Sequence, residues 1–194
     1  MIRFAKETDI DSVVGLYTKY IENSFFTTLG TSFLRKLFKS LIPSSYGMSF
    51  IFMANSRSVG FISSSSNYSA FLKRFFLKNG FILSVLVLHS LIKNPIVLRR
   101  LWESLLYARK IMQDSIKAEM LFIAIEPVYR LQGVATELIS YTLAEMKRRG
   151  IKKVKVSTDQ SNIVVNRLLQ KLGFDFVSAF QLYGKKMCLY HHTI

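Results

Sequence analysis

The chain is predicted to be a single α/β domain, and three observations predict it. Its 194 residues are close to the ~150-residue scale of one domain. Between Ala118 and Tyr190, strand-like apolar runs alternate with helical periodicity in the order β-α-β-α-β-β. Half of the residues are hydrophobic and 20% are charged, which excludes disordered and collagen-like chains. A chain of this size and composition can build a core without staples.

Taken in order, Met1–Lys6 is compatible with a short opening strand. From Thr8 to Ile21, Ile10, Val13, Val14, Leu16, Tyr17 and Tyr20 recur at helical spacing, with Thr8 or Asp9 as N-cap. Phe33, Leu34, Leu37, Phe38 and Leu41 share one face of a second helix, which Pro43, Ser44 and Ser45 end. Met48–Asn55 and Ser58–Ser64 read as the two strands of a hairpin.

The stretch from Tyr68 to Ile116 differs. It is rich in Phe and Leu, with Gly80 and Pro95 as breakers, and predicts a helical insertion of two or three helices. Between Phe71 and Lys110 it carries eight basic residues and one acid, Glu103. Its longest uncharged run, Gly80–Ile92, is shorter than the ~20 residues that span a bilayer.

Ala118–Ile125 then reads as a buried strand. Gln132–Arg149 is a strong helix with Val134, Leu138, Thr142 and Met146 on one stripe. Lys147, Arg148 and Arg149 complement its dipole, and Gly150 caps it. Ile151–Thr158 is a strand, and Ile163–Leu172 a short helix between Asn162 and Gly173. Phe174–Tyr183 and Lys185–Tyr190 are a final strand pair.

Lys plus Arg is 27 against 12 Asp plus Glu, a formal net charge of +15. With a pI near 10.0 and a mean hydropathy of +0.25, the chain is both basic and greasy. That balance favours a phosphate-bearing cofactor or an anionic membrane surface over a simple nucleic-acid binder. The lone Cys188 excludes an internal disulfide or a cysteine zinc cluster. Three histidines make a metal site unexpected. Charges at Arg3, Lys6, Glu7, Asp9 and Asp11 interrupt any signal-like run, so a cytoplasmic location is expected.

The segment with most chemical content is Ile125-Glu126-Pro127-Val128-Tyr129-Arg130-Leu131-Gln132-Gly133-Val134-Ala135. A buried strand ends at Pro127, and a short loop feeds a helix whose first amides have no intrahelical partner. Gly133 and Ala135 are small enough for a diphosphate to approach the backbone. The alternative is that Gly133 permits close helix–strand packing.

At this segment the sequence resembles the Gcn5-related N-acetyltransferase (GNAT) family. The family's pyrophosphate signature is matched by Arg130-Leu131-Gln132-Gly133-Val134-Ala135, and its lead-in by Ile125-Glu126-Pro127. A later element is matched by Asn162 and by Lys171-Leu172-Gly173-Phe174. The resemblance is firm over Glu119–Phe174, weaker over Met1–Ser64, and absent over Tyr68–Ser115.

The resemblance implies the GNAT fold, a mixed central sheet of about six or seven strands flanked by helices. It implies acetyl-CoA as cosubstrate, no metal, and direct acetyl transfer to a primary amine in a ternary complex. Ile123, Ala124 and Ile125 would offer backbone groups to the pantetheine arm, one N–H near Ala124 or Ile125 polarising the thioester carbonyl. The amides from Gln132 to Thr136 would hold the pyrophosphate. Asn162 would lie along the cofactor, cap the following helix, or do both.

Glu119 occupies the strand position where several members carry the general base, acting through water. Glu126 is the second candidate. The tyrosine that usually protonates the departing thiolate is replaced by Leu169, leaving Tyr183 or Tyr129 as substitutes. The insertion could shape the acceptor site or lie on anionic lipid. The stretch Phe25–Gly30 and the insertion look like acetyltransferases of bacterial glycan assembly, which implies an amino-sugar acceptor. A non-catalytic CoA-binding or membrane-surface module is the competing class, and acetylation of RNA or protein ranks last. DNA is not an expected partner; a homodimer is left open.

Overall fold

The computed structural model describes residues 1–21, 24–93, 100, 103 and 115–194, with side chains omitted at 81–83 and 85–93. Among these residues the sheet has seven strands. They are β1 (Ile2–Phe4), β2 (Gly47–Ala54), β3 (Arg57–Ser65), β4 (Ala118–Ile125), β5 (Lys153–Asp159), β6 (Asp175–Leu182) and β7 (Lys185–Thr193). The spatial order is β1-β2-β3-β4-β5-β7-β6, and the sheet is mixed because β4 and β5 alone are parallel.

The helices are α1 (Ile10–Tyr20), α2 (Phe25–Thr28), α3 (Thr31–Leu41), α4 (Tyr68–Lys93), α5 (Val134–Arg148) and α6 (Ile163–Lys171). One face of the sheet packs Met48, Phe50, Ile62, Met120 and Val154 against Val134, Leu138, Ile139 and Met146 of α5. On the other face, Ile51, Phe61 and Ala124 pack against α1 and α3. Phe25, Phe33, Leu37, Phe71 and Phe75 extend that layer toward α4. The expected mixed sheet of six or seven strands is thus present with seven.

Local chemistry explains where expectation and structure differ. Asp9 is the N-cap residue of α1 but makes no capping bond. Its carboxylate instead takes a bidentate pair from Arg3 at 2.8 and 2.9 Å and accepts from Lys6 N–H at 2.7 Å. Gly80 does not break the chain: α4 runs through it from Tyr68 to Lys93. A helical glycine costs only ~1 kcal/mol relative to alanine, which the long flanking segments offset. Arg99, Arg109, Lys110 and Pro95 of the expected insertion lie outside the described residues. Strand β5 starts at Lys153 rather than Ile151, and β7 continues to Thr193 because His191, His192 and Thr193 pair with β5.

The C-terminal end of α5 is tied to the α3–β2 connection. Glu145 accepts from Arg148 Nε at 2.7 Å and from Arg149 Nε at 2.6 Å. Arg149 also donates to the carbonyls of Ser45 and Gly47, each at 3.2 Å. These guanidinium bonds, Arg148's first, hold the Glu145 carboxyl at about 2 against the opposing effect of burial. A depressed carboxylate stabilises the fold above its unfolded value, ordinarily 4.5, and ceases to do so as pH falls through about 2. Glu145→Gln is therefore expected to lower stability by ~1–2 kcal/mol at pH 7. The difference from the parent should shrink below pH 4, as read from thermal melts across pH.

Candidate active site

β4 and β5 lie side by side for only part of their length. The paired positions are Ala118↔Val154, Glu119↔Lys155 and Met120↔Val156. Beyond them β4 continues along β3 to Ile125, while β5 continues along β7 to Asp159. The separation coincides with a bulge. Ser63 pairs with Phe122 and Ser64 with Met120, so Leu121 is the extra residue. A bulge increases local twist and interrupts pairing, and here it opens a wedge between two parallel strands at their carboxyl ends.

The loop leaving β4 closes on itself. Glu126 N–H donates to Val59 O at 2.8 Å, and residues Pro127–Tyr129 form a 3-10 turn. Arg130 Nε donates back to Ile125 O at 2.9 Å, and Gln132 Nε2 donates to Val128 O at 2.6 Å. Thus two signature side chains brace the loop. Leu131 and Gly133 adopt φ values of +59° and +84°. Gly133 is the N-cap of α5, and no side chain caps this helix. The helix begins at Val134, two residues later than the periodicity suggests, because these left-handed residues take up the turn.

A methyl group built on Gly133 would meet nothing within 4 Å. The glycine therefore serves its positive φ and leaves the amides uncovered; tight helix–strand packing does not explain it. The amides of Val134, Ala135 and Thr136, in the first turn, face the positive end of the dipole without an intrahelical acceptor. Leu131 and Val128 on this loop are 93% and 69% exposed. Across the wedge, Ile163 and Val164 at the start of α6 are 58% and 64% exposed.

Asn162 is an N-cap: its Oδ1 accepts from Val165 N–H at 3.3 Å. Its neighbour Asn166, which the sequence pattern did not single out, does more to hold the β5–α6 turn. Asn166 Nδ2 donates to Asp159 O at 2.9 Å and Asn162 O at 2.8 Å, and its Oδ1 accepts from Tyr190 at 2.9 Å. An asparagine inside a short helix runs against propensity, and that misfit was the available signal.

Glu119 sits one residue before the wedge and is 4% exposed. Its neighbours Ala118 and Met120 join the α5-side core, so alternation points Glu119 to the opposite face. That face carries an aromatic wall above β4. Tyr183, in the β6–β7 turn at φ +54°, stacks on Phe25 with ring centroids 5.1 Å apart. It joins Leu121 and Phe122 of β4 in one cluster, and its N–H donates to the Glu103 carboxylate. The structure thus brings Glu119 and Tyr183 to the same side of the sheet.

The other candidates are placed differently. Glu126 takes a hydrogen bond from Arg57 at 2.5 Å, which holds its carboxyl below the usual range. Tyr129 packs in the α5-side core. Leu169 is 2% exposed in that same core, so the missing tyrosine is a packing leucine. Among the described residues no group of His, Cys, Asp and Glu could hold a metal ion.

Residues 96–174 match the model of the acetyltransferase (GNAT) family. The matched stretch makes this part of the chain similar to the GNAT acetyltransferases. Solved structures agree in fold over the whole chain. An N-acetyltransferase from Staphylococcus aureus is 18% identical, with 100% of this chain and 97% of that one covered at a TM-score of 0.64. A ribosomal-protein-alanine N-acetyltransferase from Brucella melitensis is 11% identical, with 100% and 99% covered at 0.66. The Drosophila melanogaster polyamine N-acetyltransferase is 13% identical, with 100% and 99% covered at 0.64. No curated protein sequence matches the chain. The family match and the fold likeness both point to acetyltransferases. No described helix is long and apolar enough to cross a membrane.

Proposed function

We propose that the chain transfers acetyl from acetyl-CoA to a primary amine by direct attack within a ternary complex. The observation that carries this reading is the uncapped start of α5 beside the open wedge. A diphosphate hydrogen-bonded by the amides of Gly133–Thr136 would put the pantetheine arm between β4 and β5. There the unpaired edge of Ile123–Ile125 supplies backbone groups, and an N–H near Ala124 polarises the thioester carbonyl. Asn162 stands at the far lip of the wedge.

Glu119 is the general base in this reading. It accepts the ammonium proton, through water where the amine lies further off, so that the neutral nitrogen can attack. Glu126 is the weaker candidate because its lone pairs are engaged by Arg57. Tyr183, on the same side as Glu119, is the candidate donor to the departing thiolate; a thiol pKa near ~8.5 makes that step undemanding.

An amine acceptor is supported by two of the similar structures, the ribosomal-protein-alanine N-acetyltransferase and the polyamine N-acetyltransferase. An amino sugar is the finer proposal. A second reading, attachment to an anionic membrane surface, is favoured by one observation. Phe76 and Leu77 of α4 are 51% and 78% exposed, and the neighbouring Lys73, Arg74 and Lys78 are exposed too.

One assay addresses both. Release of free CoA thiol is followed with a panel of polyamines, peptide amines and amino sugars, with and without anionic vesicles. Turnover with an amine supports the proposal, and acetyl-CoA binding without turnover on any class would overturn it. Co-sedimentation with the vesicles decides the second reading.

A further inference from the structure

The sheet register places a second buried charge beside Glu119. Glu119 is the Cα partner of Ser65 on β3 and of Lys155 on β5; Lys155 is in turn the partner of His191 on β7. Paired residues on neighbouring strands share a face and lie about 4.8 Å apart. Val154, next to Lys155, belongs to the α5-side core, so Lys155 points to the opposite face, as Glu119 does. Both are nearly inaccessible, at 4% and 3% exposure. Ser65, Glu119, Lys155 and His191 therefore form one polar row across a sheet whose other face is apolar.

Burying an unpaired carboxylate is costly, and the usual outcome is protonation. A protonated Glu119 cannot accept a proton from an amine. A lysine at the adjacent register position compensates that cost and keeps the carboxylate charged and aimed along the row. Core packing gives no reason for a lysine here, since valine or leucine would fill a β-strand interior at lower desolvation cost.

We propose that Lys155 is a positioning residue that keeps Glu119 competent as the base. This rests on the reading of Glu119 above. The test is a double-mutant cycle in the full chain, measuring kcat and the KM for acetyl-CoA for Lys155→Met, Lys155→Arg, Glu119→Gln and Lys155→Met/Glu119→Gln. Lys155→Met should lower kcat by about tenfold or more with the KM for acetyl-CoA little changed. Lys155→Arg should restore most of the loss. In the Glu119→Gln background, Lys155→Met should have almost no further effect.

Equal losses from Lys155→Met in both backgrounds would overturn the proposal, because Lys155 would then act independently of Glu119. Full activity of Lys155→Met would overturn it as well. Full activity of Glu119→Gln would instead refute the base assignment, which separates the two failures. Thermal melts and calorimetric acetyl-CoA affinity identify folding defects; if Lys155→Met is misfolded, the Lys155→Arg and Lys155→Gln pair replaces it, with the same expected order.

Discussion

Glu119→Gln is expected to lower kcat by roughly 10²–10³-fold, the scale of a general base, while the affinity for acetyl-CoA stays within about twofold. The amide is close in size to the carboxylate, so the sheet should tolerate it, but it cannot take up a proton. Its place explains the expected size of the effect. The residue lies at the last paired positions of β4 and β5, where the wedge opens, and on the face bearing Phe25, Leu121, Phe122 and Tyr183. Glu126→Gln is the contrasting variant. Its carboxyl is held by Arg57 at the end of β4, and its substitution should change kcat by less than about threefold. Steady-state kinetics by thiol release, with melting curves for both proteins, distinguishes these outcomes.

The second large effect is expected at Gly133. Its φ of +84° is accessible to asparagine and aspartate at modest cost, and its Cβ direction is open. Gly133→Asn and Gly133→Asp are therefore nearly isosteric and differ in charge. If a diphosphate lies on the first-turn amides, the aspartate stands against it at short range. Like charges ~4 Å apart in a partly dry site repel by about 4 kcal/mol, so acetyl-CoA should bind the aspartate variant at least ~100-fold more weakly. The asparagine variant should stay within about tenfold of the parent. Calorimetry on both reads the contrast directly, and equal losses would show that backbone strain, not phosphate binding, governs the position.

Much of this was legible in the chain itself, for identifiable reasons. Ala118–Ile125 is apolar except for Glu119 and is flanked by Lys117 and Glu126, and the strand has those bounds. Helix α3 showed a stripe from Phe33 to Leu41, and those residues are its buried face. The turn into α5 was legible from its glycine, although its two left-handed residues, Leu131 and Gly133, shifted the helix start.

What could not be read depends on long-range pairing. The extra residue Leu121, which opens the wedge, is defined only by its partners on β3. The Glu119–Lys155–His191 row requires knowing that β7 lies between β5 and β6, and no local pattern encodes that order. Asn166 joins two local turn carbonyls to the hydroxyl of Tyr190 on β7, 24 residues away, and that last partner is set by the fold. The continuity of α4 through Gly80 reflects a balance in which one glycine is too weak a breaker for a long helix.

The central claim is that the main chain at the start of α5 binds a diphosphate, and backbone amide spectroscopy tests it most directly. Titrating isotope-labelled protein with CoA should move the Gly133, Val134, Ala135 and Thr136 amide protons downfield together, saturating with one affinity, as charged acceptors do to such donors. Saturable CoA binding that leaves those four amides in place and shifts others instead would contradict the account.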